Sequence, residues 1–414
     1  DLTDAHTATV ELTSTSSTLP GFVSGAGNAP TTTKIGTFTI DPVSESTTDT
    51  NNQGSVGWHF SLDDNDPTLQ SLAEGQTITQ IYTITIKDDN GVPVTQTVTI
   101  TITGTNDAPV LTADAAIHQA DEVPDTTGAP NSVVYIATGT LAFADVDLSD
   151  THTASAALHP GASSVVWSGG DYNDIPQATR DALNGAVTAS VSESNTDTNN
   201  QGSVGWEFKL PDHLFDFLAK GQTLTLIYDV TVTDNNGLSS TKQITVQIGA
   251  ANDQPVISVI DNGAAVKEDV DPVGGILKDH GSVTFTDADL TDTHTAHVTY
   301  NNDAAGSAGV SPALALALAT ALTVPSSALA AGDHDFNWDF ALDTNLIQYL
   351  AEGETITATY TITVKDNSNN SNDTSVAKTV TVTITGTNDL PTISITNPAT
   401  DTEGNTGTPD VAVV

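Results

Sequence analysis

The run Thr97-Val98-Thr99-Ile100-Thr101-Ile102-Thr103 leads straight into Gly104-Thr105-Asn106-Asp107-Ala108-Pro109-Val110. Strict alternation of β-branched apolar residues with threonine has the two-residue period of a strand with one face in a core and one in water. Tyr82-Thr83-Ile84-Thr85-Ile86 and Tyr360-Thr361-Ile362-Thr363-Val364 alternate in the same way. Asp88-Asp89-Asn90-Gly91 and Asp234-Asn235-Asn236-Gly237 suit tight turns, because Asn and Gly tolerate positive φ. Half-buried strands joined by such turns predict an all-β fold of antiparallel sandwiches.

The phrase at the end of the first run returns as Gly249-Ala250-Ala251-Asn252-Asp253-Gln254-Pro255-Val256 and Thr385-Gly386-Thr387-Asn388-Asp389-Leu390-Pro391-Thr392. Other landmarks move with it. Trp58/Phe60, Trp206/Phe208 and Trp338/Phe340 precede it, each followed by a Leu-Ala-x-Gly-x-Thr phrase beginning at Leu72, Leu218 and Leu350. Asp-Leu-Thr-Asp-Ala-His-Thr-Ala at 1–8 recurs with small changes at 147–154 and 289–296. The period, roughly 130 to 150 residues, is far longer than a solenoid unit, so each copy is expected to be a whole domain. The expected units are 1–107, a repeat lacking its start; 108–253; 254–389; and 390–414, the opening of a further repeat. Pro176–Leu183 and Pro312–Ala319 read as short helices inserted in the second and third copies, with a proline in the first turn. The repeated Trp is expected to fill the sandwich core.

Composition agrees with strands: Thr and Val are abundant, Asp, Asn, Ser and Gly supply turns, and there is no Met. With no Cys, neither disulfides nor thiolate metal sites exist, so stability has to come from packed cores or from cations held by oxygen. The 52 Asp+Glu against 10 Lys+Arg give a formal net charge of -42, which repels nucleic acid and anionic membrane and is relieved by bound cations. The rival reading of that acidity is solubility of an exported protein or a salty habitat. No stretch reaches the length of a membrane span. There is no nucleophile elbow, phosphate loop, HExxH motif or paired-carboxylate cleft, so an enzyme is not expected.

The carboxylates fall at three places in each copy: the inter-repeat phrase (Asn106-Asp107), the Asp-x-Asp that follows (Asp145, Asp147; Asp287, Asp289), and the turn before the last strand (Asp88, Asp234, Asp366). Any one such pair could be a plain Asx turn. In a sandwich the three places can converge at one end, where six to eight oxygens would suit calcium. Asp63-Asp64-Asn65-Asp66 lacks such spacing and reads as a solvated loop. His6, His152 and His294 read as structural histidines rather than zinc ligands.

The Asn-Asp-x-Pro ending, the Asp-x-Asp and the Asp-x-Asn-Gly turn resemble cadherin repeats. With the Leu-Ala-x-Gly-x-Thr phrase and the Asp-x-Asp-Leu-x-Asp-x-His-Thr-Ala segment, the chain more closely resembles the cadherin-like or VCBS-type repeats of bacterial type I secreted (RTX) giant adhesins. The resemblance implies tandem Ig-like sandwiches with Ca2+ at their junctions. Asn106, Asp107, Asp145, Asp147 and Asp234 would serve one junction, and Asn252, Asp253, Asp287, Asp289 and Asp366 the next. A glutamate early in each repeat would reach its far end: Glu122 for the second junction, and Glu268 for a third site with Asn388 and Asp389. The second cadherin glutamate has no clean counterpart, since Glu74 and Glu352 lie near its place but Lys220 occupies it in the second copy. The resemblance leaves open whether Asp150/His152 and Asp292/His294 ligate. The implied role is a calcium-rigidified extender of an extracellular, cell-surface adhesin active in adhesion and biofilm formation. Its partners would be calcium and neighbouring repeats, with no nucleic acid and no membrane insertion. The alternative is that the repeats themselves bind surface glycans or identical repeats on other cells.

Overall fold

The computed structural model describes residues 4–26, 33–46, 53–125, 133–193, 200–270 and 274–394. The segment 390–414 therefore lies outside the described residues beyond Ser394. Contacts group the chain into two units, Asp1–Asp253 with Ala288–Thr291, and Gln254–Asp287 with Asp292–Val414. Both are built almost wholly of strands.

In the first unit, residues of the first repeat form β1 (Thr7–Ser17), β2 (Thr37–Ile40), β3 (Trp58–Ser61), the single turn α1 (Pro67–Gln70), β4 (Thr77–Lys87) and β5 (Pro93–Thr103). β4 pairs antiparallel with β1 and with β5, while β2 and β3 pair with each other. Residues of the second repeat form β6 (Val110–Leu111), β7 (Ile117–Asp121), β8 (Val134–Ala144), β9 (His152–Leu158), α2 (Gln177–Leu183), β10 (Val187–Glu193), β11 (Gln201–Pro211), β12 (Thr223–Asp234) and β13 (Ser239–Gly249). They make two facing sheets, ordered β10-β11-β8-β6 and β7-β13-β12-β9. Alternation in β12 buries Leu224, Leu226, Tyr228, Val230 and Val232 completely, each such side chain contributing about 1.5–3 kcal/mol of transfer free energy. Its threonines face outward.

The second unit repeats the plan with β14 (Val256–Ile260), β15 (Gly263–Lys267), β16 (Ile276–Thr286), β17 (His294–Tyr300), α3 (Pro312–Leu318), β18 (Leu322–Thr323), β19 (Asp335–Asp343), β20 (Thr355–Asp366) and β21 (Lys378–Thr385). Its sheets are ordered β14-β16-β19-β18 and β15-β21-β20-β17. The predicted helices are present as α2 and α3. Each buries an apolar edge, Leu183 in one and Leu314 with Leu318 in the other. Each is tied down by a strand tyrosine, Tyr228 donating to Leu183 O (3.0 Å) and Tyr360 to Leu318 O (2.8 Å).

One strand pair in each of the second and third repeats runs parallel. β7 lies beside β13 with Asp121 opposite Gly249, and β15 beside β21 with Lys267 opposite Thr385. This carries the chain from the start of a repeat to its far end, next to the phrase that closes it.

The core tryptophan holds in two repeats and fails in one. Trp206 and Trp338 are 3% and 0% exposed, whereas Trp58 is 45% exposed. The covering strand explains the difference. Gly139 of β8 stands opposite Trp206, and Gly281 of β16 opposite Trp338, where a β-carbon would come within 2.6 Å and 2.4 Å of the indole. Among the described residues β3 has no such neighbour, and Trp58 instead stacks on Phe38 at 5.4 Å between ring centroids. The acidic loop at 63–66 is partly structural, since Asp66 caps α1 by accepting from Thr68 N at 2.8 Å.

Two outcomes follow. Acrylamide quenching of the tryptophan fluorescence should resolve an accessible, red-shifted component that disappears in Trp58→Phe. Gly139→Ala and Gly281→Ala should each destabilise their sandwich by about 1–3 kcal/mol through overpacking, read from denaturant unfolding, and a loss inside ±0.5 kcal/mol would contradict the close approach.

Candidate cation centres

Strand ends place the acidic residues. In the first unit Asp145 follows β8 directly, Asp147 and Asp150 sit in the turn after it, and Asp234 ends β12 opposite His152, the first residue of β9. Asn106 and Asp107 arrive from the end of β5. Asn106 Nδ2 donates to Asp234 Oδ2 (3.0 Å), Asp107 N to Asp147 Oδ2 (2.7 Å) and Asp147 N to Asp145 Oδ1 (3.0 Å). All five residues expected here are thus brought together, in contacts that join the first repeat to the second. Carboxylate oxygens of Asp145, Asp150 and Asp234 lie within 4.8 Å of one another, so Asp150 joins the set.

At the other end of the second repeat, parallel pairing delivers Glu122. Its N–H donates to Gly249 O (2.8 Å), and its Oε2 accepts from Ala251 N (3.0 Å). Asp253 Oδ1 accepts from Asp125 N (2.6 Å), Asp253 N donates to Asp289 Oδ2 (3.0 Å), and Asn252 Nδ2 donates to Asp253 O (2.7 Å). The cluster here is Glu122, Asp216 and Asp253. Asp216 follows a 3₁₀ turn, Asp212–Leu214, in which Asp212 accepts from the Tyr135 hydroxyl. Sequence reading missed Asp216 because the first and third copies have Gln70 and Gln348 at its place. Asp216 lies two residues before the Leu-Ala-x-Gly-x-Thr phrase, near the place of Glu74, Lys220 and Glu352, which are all exposed.

The second unit holds Asp287, Asp292 and Asp366 in a third cluster, with His294 opposite Asp366 in the strand register. Glu268 repeats the behaviour of Glu122, its N–H donating to Thr385 O (2.9 Å) and its Oε2 accepting from Thr387 N (3.0 Å). Asn388 and Asp389 beside it are exposed, and no three-residue cluster forms there among the described residues.

His152 and His294 are buried against carboxylates but are not equally satisfied. His152 Nε2 lies 3.0 Å from Asp145 Oδ2 and its Nδ1 2.7 Å from Glu193 Oε2. His294 Nε2 lies 2.8 Å from Asp287 Oδ2, while its buried Nδ1 has no hydrogen-bond partner. A second support is Asn200, at φ 43°, whose Nδ2 donates to Asp147 O (2.6 Å) and Asp150 O (3.3 Å).

Burial and mutual repulsion set the protonation of these groups. Burial first, then Asp253, Asp216 and Asp212, push Glu122 up to about 9 despite the Ala251 hydrogen bond. Burial and the neighbouring Asp145, Asp150 and Asp107 push Asp147 up to about 7. Asp216 and Asp292 rise to about 6, mainly by burial and then by adjacent aspartates. Burial also acts on Asp234, but hydrogen bonds from Asn106, Leu238, Asn236 and Gly237 outweigh it and hold that carboxyl below its ordinary value.

Within the clusters, Glu122 Oε1, Asp147 Oδ1, Asp150 Oδ2, Asp216 Oδ1, Asp292 Oδ2 and the Asn106 amide oxygen are buried without a hydrogen-bond partner. A buried, unpaired carboxylate oxygen is costly unless a cation or proton meets it. Each of these atoms is an oxygen, the donor type that hard divalent cations take.

No protein-family model matches the chain, and no curated protein matches it in sequence. Among solved structures, the extracellular cadherin domains 1–4 of protocadherin gamma B7 align over 90% of this chain and 71% of theirs, at 14% identity and a TM-score of 0.32. The zebrafish RET cadherin-like domains 1 to 4 align over 84% of this chain at 10% identity and a TM-score of 0.22, and the chain spans 65% of their length. Likeness at this level carries no functional inference. No helix among the described residues is long and apolar enough to cross a membrane.

The raised carboxyls hold protons more tightly folded than unfolded, where Asp and Glu titrate near 4. Their contribution is therefore present at low pH and is lost as pH rises through about 6 to 9. In chelator, melting temperature should fall steadily from about pH 5 to pH 9, and saturating calcium should flatten or reverse that trend. A chelated protein that gains stability across this window would contradict the assignment.

Proposed function

We propose that this chain is a calcium-rigidified extender: tandem β-sandwich repeats, locked end to end by cations, that hold an adhesive tip away from a bacterial cell surface. The observation that carries the reading is the set of buried, unpaired oxygens of Asn106, Asp147 and Asp150 where the first repeat meets the second. Asn106 and Asp107 come from one repeat, and Asp145, Asp147, Asp150 and Asp234 from the next. A cation held by both would fix their relative orientation. Without it the carboxylates repel, so binding and ordering of the connection share one free energy. The sequence repeats the same ligand types at Asn252, Asp253, Asp287, Asp289 and Asp366, and again at Glu268, Asn388 and Asp389.

The domain limits 1–107, 108–253, 254–389 and 390–414 belong to this reading, because each limit falls on the Asn-Asp phrase or just after it. Extracellular calcium modules bind at about 10⁻⁴–10⁻³ M. A fibre of such affinity is slack at the low calcium of a cytosol and stiff outside, which suits export through a type I secretion route before the chain acts in adhesion and biofilm formation.

Small-angle scattering on the whole chain checks this directly. Calcium should raise the maximum dimension and sharpen the distance distribution relative to chelator, and Asp147→Asn should blunt the response. Identical profiles with and without calcium would refute the extender mechanism.

A further inference from the structure

Two of the three repeats grip the histidine that follows the acidic turn with a glutamate, and the third does not. In the second repeat His152 has a fully buried side chain and packs against Phe143 at 4.6 Å between ring centroids. Glu193, at the end of β10 on the facing sheet, grips it twice: His152 N donates to Glu193 Oε1 (3.2 Å) and Nδ1 faces Glu193 Oε2 (2.7 Å). The opposite ring nitrogen, Nε2, meets Asp145 Oδ2. An ionised carboxylate only accepts, so with Glu193 and Asp145 both ionised each ring nitrogen carries a proton and the ring plane is fixed between the two carboxylates.

The same grip recurs in the first repeat. His6 N donates to Glu45 Oε1 (3.0 Å), and His6 Nδ1 lies 2.6 Å from Glu45 Oε2. Both glutamates occur in a Ser-Glu-Ser phrase, at 44–46 and 192–194. The third repeat has the histidine without the grip. There His294 N donates to the Leu329 carbonyl (3.1 Å) and the ring Nδ1 is buried without a partner, although Nε2 still meets Asp287.

We propose that Glu193 is a positioning residue for the Asp145/Asp150/Asp234 cation cluster: it clamps His152, and the clamped imidazole holds the Asp145 carboxylate in its ligating pose. This rests on the cation reading above and adds a residue to it that no ligand pattern contains. The Asp287/Asp292/Asp366 cluster lacks the clamp and serves as a reference inside the same molecule. Groups that orient a metal ligand change affinity by about 10–100-fold when removed.

A double-mutant cycle on the full chain, titrated with calcium alone and followed by calorimetry and by histidine-ring NMR, tests the proposal. Glu193→Gln should weaken one class of sites by about tenfold or more, shift the His152 ring resonances in calcium-free protein, and leave the sites of the second unit unchanged. His152→Gln keeps a donor for Asp145 but has nothing for Glu193 to grip, so adding Glu193→Gln to it should cost no further affinity. An equal loss in both backgrounds would show that Glu193 acts through its charge alone and would overturn the proposal. So would unaltered affinity of Glu193→Gln in a protein whose parent binds calcium. Failure of the parent to bind calcium would instead remove the cation reading, and the positioning role with it.

Discussion

Like charges buried together are the constraint around which this molecule is built. Asp147, Asp150, Glu122 and Asp292 are almost wholly removed from water, each with at least one oxygen lacking a hydrogen bond. Desolvating an ionised carboxylate costs several kcal/mol even after relaxation, and a second one nearby makes it worse. Protons relieve this in the upward-shifted carboxyls, and a divalent cation would relieve it further. The sandwiches, by contrast, are stabilised in the ordinary way, by alternating apolar side chains meeting between two sheets. The structure thus separates two functions in space: packing in the middle of each sandwich and charge at its ends.

Strand geometry brings the charges to those ends. Most of the ligand candidates sit within a few residues of a strand terminus, so their positions are inherited from hydrogen-bond registers rather than from flexible loops. His152 opposite Asp234 and His294 opposite Asp366 show the same register used twice. The parallel pairs β7/β13 and β15/β21 do the rest, because a parallel strand must travel the length of the sandwich in the direction of its partner and so ends where that partner ends.

Much of this was legible in the sequence because the relevant information is periodic. Alternation revealed the strands, and recurrence in register separated ligand candidates such as Asp107, Asp145 and Asp234 from incidental turn residues. What escaped was non-periodic or non-local. Asp216 occurs in one copy only, so no register exposes it. Glu193 meets His152 across 41 residues and between two sheets, a contact that no local pattern encodes. Trp58 looked like core because its counterparts are core, yet what buries a tryptophan here is a glycine-bearing strand far upstream of it, Gly139 for Trp206. Asp150 stays undecided in the sequence because an Asp-x-His segment stands where cadherin repeats have an asparagine.

The parallel pairing also has a consequence for how such a protein can grow. Glu122 enters the chain just after one Asn-Asp phrase and ends beside the next, so a single repeat carries a contribution to the group at its own beginning and another to the group at its end. A stretch of DNA encoding one full period, copied in frame, would bring the early glutamate and the closing Asn-Asp phrase together. Shortening by a whole period would likewise leave the flanking boundaries intact, while loss of a fraction would strand a glutamate without its aspartate. Length, in a molecule made this way, can be varied by recombination without redesigning any surface.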